Sequence, residues 1–234
     1  MTTSAHLSKQ FDQDLETLRS SVLQMGGLVE GQIRGAIDAF AGGNRARIDE
    51  VIRNELRVNE CEVNIDNECS HIIAKRQPTA VDLRLVMGIS KTVTDLERIG
   101  DEAEKIARVS RQMHERGGAR AQRFPGVRHA ADVAVAMLRR ALDAFARLDA
   151  EEAQAVIGED AAIDSEFRSI LRQLITFVME DPRTISTALD IVWTAKAIER
   201  IGDHAKNMAE YVIYIVKGTD VRHTKLSELE RESY

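Results

Sequence analysis

Near the start of the chain, apolar residues return at steps of three and four: Phe11, Leu15, Leu18, Val22, Met25, Val29, Ile33, Ile37 and Phe40. That is the period of a helix buried along one stripe. The spacing predicts one long helix, ended by Gly42-Gly43, with Asn44 placed to cap the next. The second helix carries Val58, Cys61, Ile65, Cys69 and Ile72 inward and stops near Arg76-Gln77. Pro78 suits the first turn of a third helix. There Val86, Ile89, Val93, Leu96, Gly100, Ala103 and Ala107 form an unbroken seam. The periodicity lapses from Gly117-Gly118 to Arg123-Phe124-Pro125, which reads as a linker.

The second half replays this plan. Ala141-Leu142-Asp143-Ala144-Phe145 echoes Ala36-Ile37-Asp38-Ala39-Phe40, and Asp149 falls where Asn44 fell. Asp149 with Glu152 makes a capping-box pattern. A fifth helix is expected from there to about Met179, with Ile163, Phe167, Ile170, Leu174 and Phe177 inward. Asp181 and Pro182 open a sixth, which carries Ile191, Ala195, Ile198, Gly202, Ala205, Ala209 and Val212 and ends at Gly218. The expected fold is all-α: two tandem, pseudo-symmetric three-helix bundles over residues 6–116 and 126–218. A linker spans 117–125 and a polar tail 219–234.

The repeat is sharpest at Glu97-Arg98-Ile99-Gly100-Asp101, whose five residues return 102 positions on as Glu199-Arg200-Ile201-Gly202-Asp203. Acids four apart share one helix face, where like charges repel unless a cation offsets them. Aligning Ile65-Asp66 with Ile163-Asp164 reveals a second repeated pair, Glu62/Asp66 and Asp160/Asp164. Each bundle then presents two acid pairs on different helices, a pattern that suits a multivalent cation bound by oxygen ligands. With 38 Asp and Glu among 234 residues, such spacings are also common by chance. Solvated acids and salt bridges, such as Arg98 to Glu102, therefore stand as the competing reading.

Other candidates carry less. Gly100 and Gly202 read as close-approach positions beside Ala103 and Ala205, a role compatible with room for a metal cluster. Glu68-x-x-His71 has di-iron spacing, but Glu166 and Ser169 stand at its second-half positions, so the motif is not doubled. His204 has Glu102 as its counterpart and reads as an outer or exposed group. Cys61 and Cys69 look like small core residues. No phosphate loop, nucleophile elbow or zinc motif is present, so nothing reads as catalytic.

Charge and composition narrow the partners. A net charge of −6 without a dense basic run argues against nucleic acid. No apolar run spans a bilayer and no leader pattern opens the chain, so a cytoplasmic protein that meets membranes only through partners is expected. The two cysteines suit a reducing compartment.

Asp95-Leu96-Glu97-Arg98-Ile99-Gly100-Asp101 and Ile198-Glu199-Arg200-Ile201-Gly202-Asp203 resemble the doubled motifs of the PhoU family. Gln77-Pro78 and Asp82-Leu83-Arg84 upstream, and Val216-Lys217-Gly218 with Asp220, Arg222 and His223, extend the resemblance over about residues 6–223. It implies a non-enzymatic negative regulator of the phosphate-starvation response. Such a regulator links the ATPase subunit of the phosphate ABC transporter to a phosphate-sensing histidine kinase and modulates phosphate uptake. It also implies a homodimer that binds multinuclear clusters of iron, zinc or manganese. Carried over by position, the metal ligands are Glu97, Asp101, Glu199 and Asp203, with Glu62, Asp66, Asp160 and Asp164 as their partners. A carboxylate-rich metal-storage or metalloenzyme bundle is the alternative for the same acids.

Overall fold

The computed structural model describes residues 2–117 and 124–222, with side chains from Lys9 onward. Most of the expected linker and tail lies outside the described residues. Among those described, every element is helical. The first bundle comprises α1 (Thr2–Gly42), α2 (Arg45–Arg76) and α3 (Ala80–Glu115). The second comprises α4 (Pro125–Arg147), α5 (Ala150–Gly158), α6 (Asp160–Glu180) and α7 (Ile185–Lys217).

The apolar stripe of α1 is the spine of the first bundle: Leu15 through Phe40 are buried and Phe11 packs at its edge. Each such side chain contributes about 1.5–3 kcal/mol on burial. Gly43 ends the helix with φ 66°, a conformation that costs glycine little. Asn44 then accepts from the Ala46 and Arg47 amides at 3.0 and 3.3 Å and starts α2. At the far end of α2, Arg76 ties back to Asp14 of α1 at 2.8 Å.

Three helix boundaries differ from expectation. Pro78 lies outside α3, which starts at Ala80 after an uncapped Thr79. Pro182 opens a short 3-10 turn, Pro182–Thr184, capped by Asp181, and α7 begins after it. The expected fifth helix is two: it breaks at Gly158–Glu159 into α5 and α6. α5 buries Ala153, Val156 and Ile157, whereas α6 buries Ile163, Ile170 and Leu174. Ile157 and Ile163 are six residues apart, about 120° out of phase on a straight helix, so one of them would leave the core. The break restores both. Arg140 of α4 bridges it, binding Glu152 at 2.6 Å and also Glu159. Asp149 caps α5 as expected, but Glu152 spends its carboxylate on Arg140 instead of closing the capping box.

The bundles meet where α3 packs antiparallel on α7. Arg84 reaches the Ile215 carbonyl at 3.3 Å, Glu102 pairs with Arg200 at 3.0 Å, and Arg116 pairs with Asp190 at 3.3 Å. Gly88 permits this approach, since a Cβ there would sit 2.5 Å from Ile215 Cδ1. The two helices carry the repeated motifs, so the seam relates the halves by an approximate two-fold.

Candidate metal centre

In the first bundle, α2 and α3 bring Glu55, Glu97 and Asp101 together, with one oxygen of each within 4.8 Å of the others. Glu97 and Asp101 were expected here; Glu55 was not. Glu55 is only 5% exposed and accepts from Gln32 Nε2 of α1 at 2.5 Å. Its Oε1 has no hydrogen-bond partner, and neither does Gln32 Oε1. Buried polar oxygens without partners are rare and call for a reason. Burial, with help from the charges of Asp101, Glu104 and Glu97, pushes the Glu55 carboxyl up to about 7. Burial also raises Glu97, as do Asp101 and Glu62.

Gly100 leaves room for this arrangement. A Cβ on it would meet Glu55 Oε2 at 3.0 Å and Gln32 Oε1 at 3.5 Å. Glu62 lies close enough to Glu97 and Asp101 for their charges to act on one another, and burial and Asp66 raise its carboxyl. Asp66 stands further along and accepts from Ser90 Oγ at 2.7 Å. Among the described residues, no lysine or arginine pairs with Glu55, Glu62, Glu97 or Asp101 within the usual ion-pair distance; Lys105 binds Glu102 instead.

The second bundle treats its acids differently. Lys206 holds Asp160 at 2.6 Å, Arg168 holds Asp164 at 3.1 Å, and Lys196 holds Glu199 at 2.5 Å. Asp203 remains near Glu199 and Asp160, and burial foremost raises its carboxyl. Gly202 faces no carboxylate, because Ile163 fills the space beside it. Counted from Phe145 as Gln32 is from Phe40, the matching α4 residue is Met137, which is fully buried. The polar pocket of the first bundle is thus apolar in the second.

A model of the PhoU domain matches residues 22–110 and 127–212, one copy over each bundle. The chain belongs to the PhoU family. A PhoU homolog of Pseudomonas aeruginosa, described as a phosphate-specific transport system accessory protein, is 48% identical over 97% of this chain and 93% of that protein. PhoU of Escherichia coli, described in the same words, is 44% identical over 97% of this chain and 93% of its own length. A crystal structure of PhoU from Pseudomonas aeruginosa superimposes with a TM-score of 0.85 at 48% identity, covering 89% of this chain and all (100%) of that one. PhoU from Streptococcus pneumoniae, described as a phosphate transport system regulatory protein, gives 0.82 at 26% identity, covering 90% of this chain and 99% of that one. The all-α PhoU fold is therefore shown.

Within this PhoU chain, Glu55 and Gln32 are the site residues that the repeated motifs do not reveal. A signal for Glu55 exists all the same. Ile48, Val51, Glu55, Val58, Glu62, Ile65, Cys69 and Ile72 step by three and four along α2. Glu55 and Glu62 therefore occupy seam positions, where an acid is out of place without a partner.

Proposed function

We propose that this chain restrains phosphate-starvation signalling as an adaptor without turnover of its own. In this reading it is a cytoplasmic homodimer that links the ATPase subunit of a phosphate ABC transporter to a phosphate-sensing histidine kinase and modulates uptake. The observation that carries it is similarity, over nearly the whole chain, to proteins described as accessory to phosphate-specific transport. No described helix is long and apolar enough to cross a membrane, in keeping with membrane contact through partners.

Metal belongs to the same reading, and the residues of the first bundle fit it. Three carboxylates converge with no ion pair to a lysine or arginine among the described residues, and a buried oxygen is left unpartnered. Iron, manganese or zinc would be held by Glu55, Glu97 and Asp101, with Glu62 adjoining and Asp66 beyond it. When bound, the ions would cancel the repulsion among these acids. In the second bundle, Asp160, Asp164, Glu199 and Asp203 are offered as ligands once their basic partners swing away.

The deciding experiment is affinity capture from phosphate-replete and phosphate-starved cells, with and without a chelator. Recovery of the transporter ATPase or the kinase, stronger with phosphate, is expected, and its loss on chelation ties the acids to the mechanism. Recovery of neither in any condition would favour the storage or metalloenzyme reading. Glu97→Ala with Asp101→Ala should lower the bound metal to that of the second bundle alone; unchanged metal content would refute the assignment.

A further inference from the structure

The seam between α3 and α7 is flanked by two grooves. One, of about 410 Å³, is lined among others by Lys91, Asp95, Arg98, His204, Asn207 and Tyr211. The other, of about 290 Å³, is lined among others by Glu102, Lys105, Trp193, Lys196, Ala197 and Arg200. A shift of 102 positions exchanges them: Arg98 maps onto Arg200, Asp95 onto Ala197, Glu102 onto His204 and Lys105 onto Asn207. The grooves are two versions of one site.

The smaller groove carries its own anion. Glu102, 3% exposed, lies 3.0 Å from both Arg200 and Lys105. In the larger groove His204 stands where Glu102 stands, so Arg98 lacks the carboxylate that Arg200 enjoys. Arg98 is within electrostatic range of Glu62 and Glu97 but hydrogen-bonds to neither. Asp95 does not fill the gap. It is buried, accepts from His204 Nδ1 at 2.6 Å and Asn207 Nδ2 at 3.1 Å, and also bonds the Tyr211 hydroxyl. The Lys91 ammonium lies over the rings of Tyr211 and Tyr214, at 5.6 and 5.4 Å from their centroids. On the rim, the Ser90 hydroxyl donates to Asp66 at 2.7 Å and the Thr94 hydroxyl donates to the Ser90 carbonyl at 3.2 Å.

We propose that this larger groove binds free inorganic phosphate, which supplies the anion that Glu102 supplies across the seam. Lys91 and Arg98 are seven residues apart on α3, about 10 Å along its axis, and their long side chains can converge on one oxyanion. A carboxylate only accepts, so Nδ1 of His204 carries the proton of its bond to Asp95, and Nε2 of the neutral ring is then an acceptor. Hydrogen phosphate offers charged oxygens to the cations and a P–OH to Nε2. Sulfate and the dianion of a phosphate monoester have no such proton, so the groove selects free phosphate over both. This inference deepens the regulatory reading and rests on it only for its meaning in the cell.

The test is titration calorimetry on the full chain at pH 8 and constant ionic strength, with inorganic phosphate, sulfate and phenyl phosphate as probes. Phosphate should bind saturably, with sulfate and phenyl phosphate weaker by roughly tenfold or more. Lys91→Gln, which removes an ammonium resting on ring faces, should weaken phosphate by about fivefold or more. Lys196→Gln in the other groove should leave it unchanged. No saturable heat, sulfate or phenyl phosphate as tight as phosphate, or an unaffected Lys91→Gln would each overturn the proposal. A chain that captures its partners yet takes no phosphate sinks this inference alone. Phosphate binding without partner capture sinks only the regulatory reading.

Discussion

Glu55 sits between Val51 and Val58 on α2, where the core expects a hydrocarbon, and its carboxyl is pushed up to about 7 mainly by burial. Its folded value exceeds the unfolded one near 4.5, so the folded chain keeps this proton longer. Metal-free protein should therefore lose stability as pH rises from about 4.5 to about 7 and level off above, by on the order of 3 kcal/mol. Glu62 and Glu97, raised in the same direction, add to the slope. Urea melts at pH 5 and pH 8 with chelator present check this. Glu55→Gln should flatten the slope and gain about 2–3 kcal/mol at pH 8 while weakening metal binding. A slope unchanged in that variant would locate the titrating group elsewhere. Added divalent metal should raise the melting temperature of the parent more at pH 8 than at pH 5, because binding requires the acids deprotonated.

Among the elements, the two motif glycines make the clearest contrast. A Cβ on Gly202 would overlap the Cδ1 of Ile163, a buried side chain that must shift to admit it. Gly202→Ala should cost about 1–3 kcal/mol despite the gain in helix propensity. At Gly100 the contacts are milder, the Glu55 carboxylate at 3.0 Å and Val58 Cγ1 at 3.2 Å, so each neighbour need give only a few tenths of an ångström. Gly100→Ala should thus change stability by less than about 1 kcal/mol but lower metal affinity, read by thermal melts and metal titration. The sequence shows both glycines on the seam but not which neighbour each one meets, because that depends on α2 and α6. The same limit explains the helices. Stripes of period three and four mark α1 to α3, α6 and α7, and caps at Asn44 and Asp149 mark the starts of α2 and α5. The break at Gly158–Glu159 is a phase error between Ile157 and Ile163, visible only when the spacing is counted across it. The repeated motif exposes Glu97 and Asp101; Glu55 shows in the sequence only as an acid on the apolar stripe of α2, and Gln32 emerges only when three helices are packed.

At the scale of the whole molecule, the α3–α7 seam decides whether the bundles behave as one unit. Asp95 binds His204, Asn207 and Tyr211, so α7 supplies three groups to one buried carboxylate of α3. Asp95→Ala strands all three and should cost about 2–4 kcal/mol. Denaturant melts should then broaden or split, as the bundles unfold with less coupling; a single transition of unchanged width would show that apolar packing alone joins them. The two grooves beside this seam have a further consequence. If two identical three-helix units were paired by a two-fold axis, the interface would be isologous, and every pairing would occur twice. Such a half-length dimer would carry the Asp95–His204 pairing on both sides, or the Glu102–Arg200 pairing on both. Duplication within one chain lifts that constraint. One side can seal its charge internally while the other leaves its cations to a passing ion, an asymmetry that no homodimer of half-chains could encode.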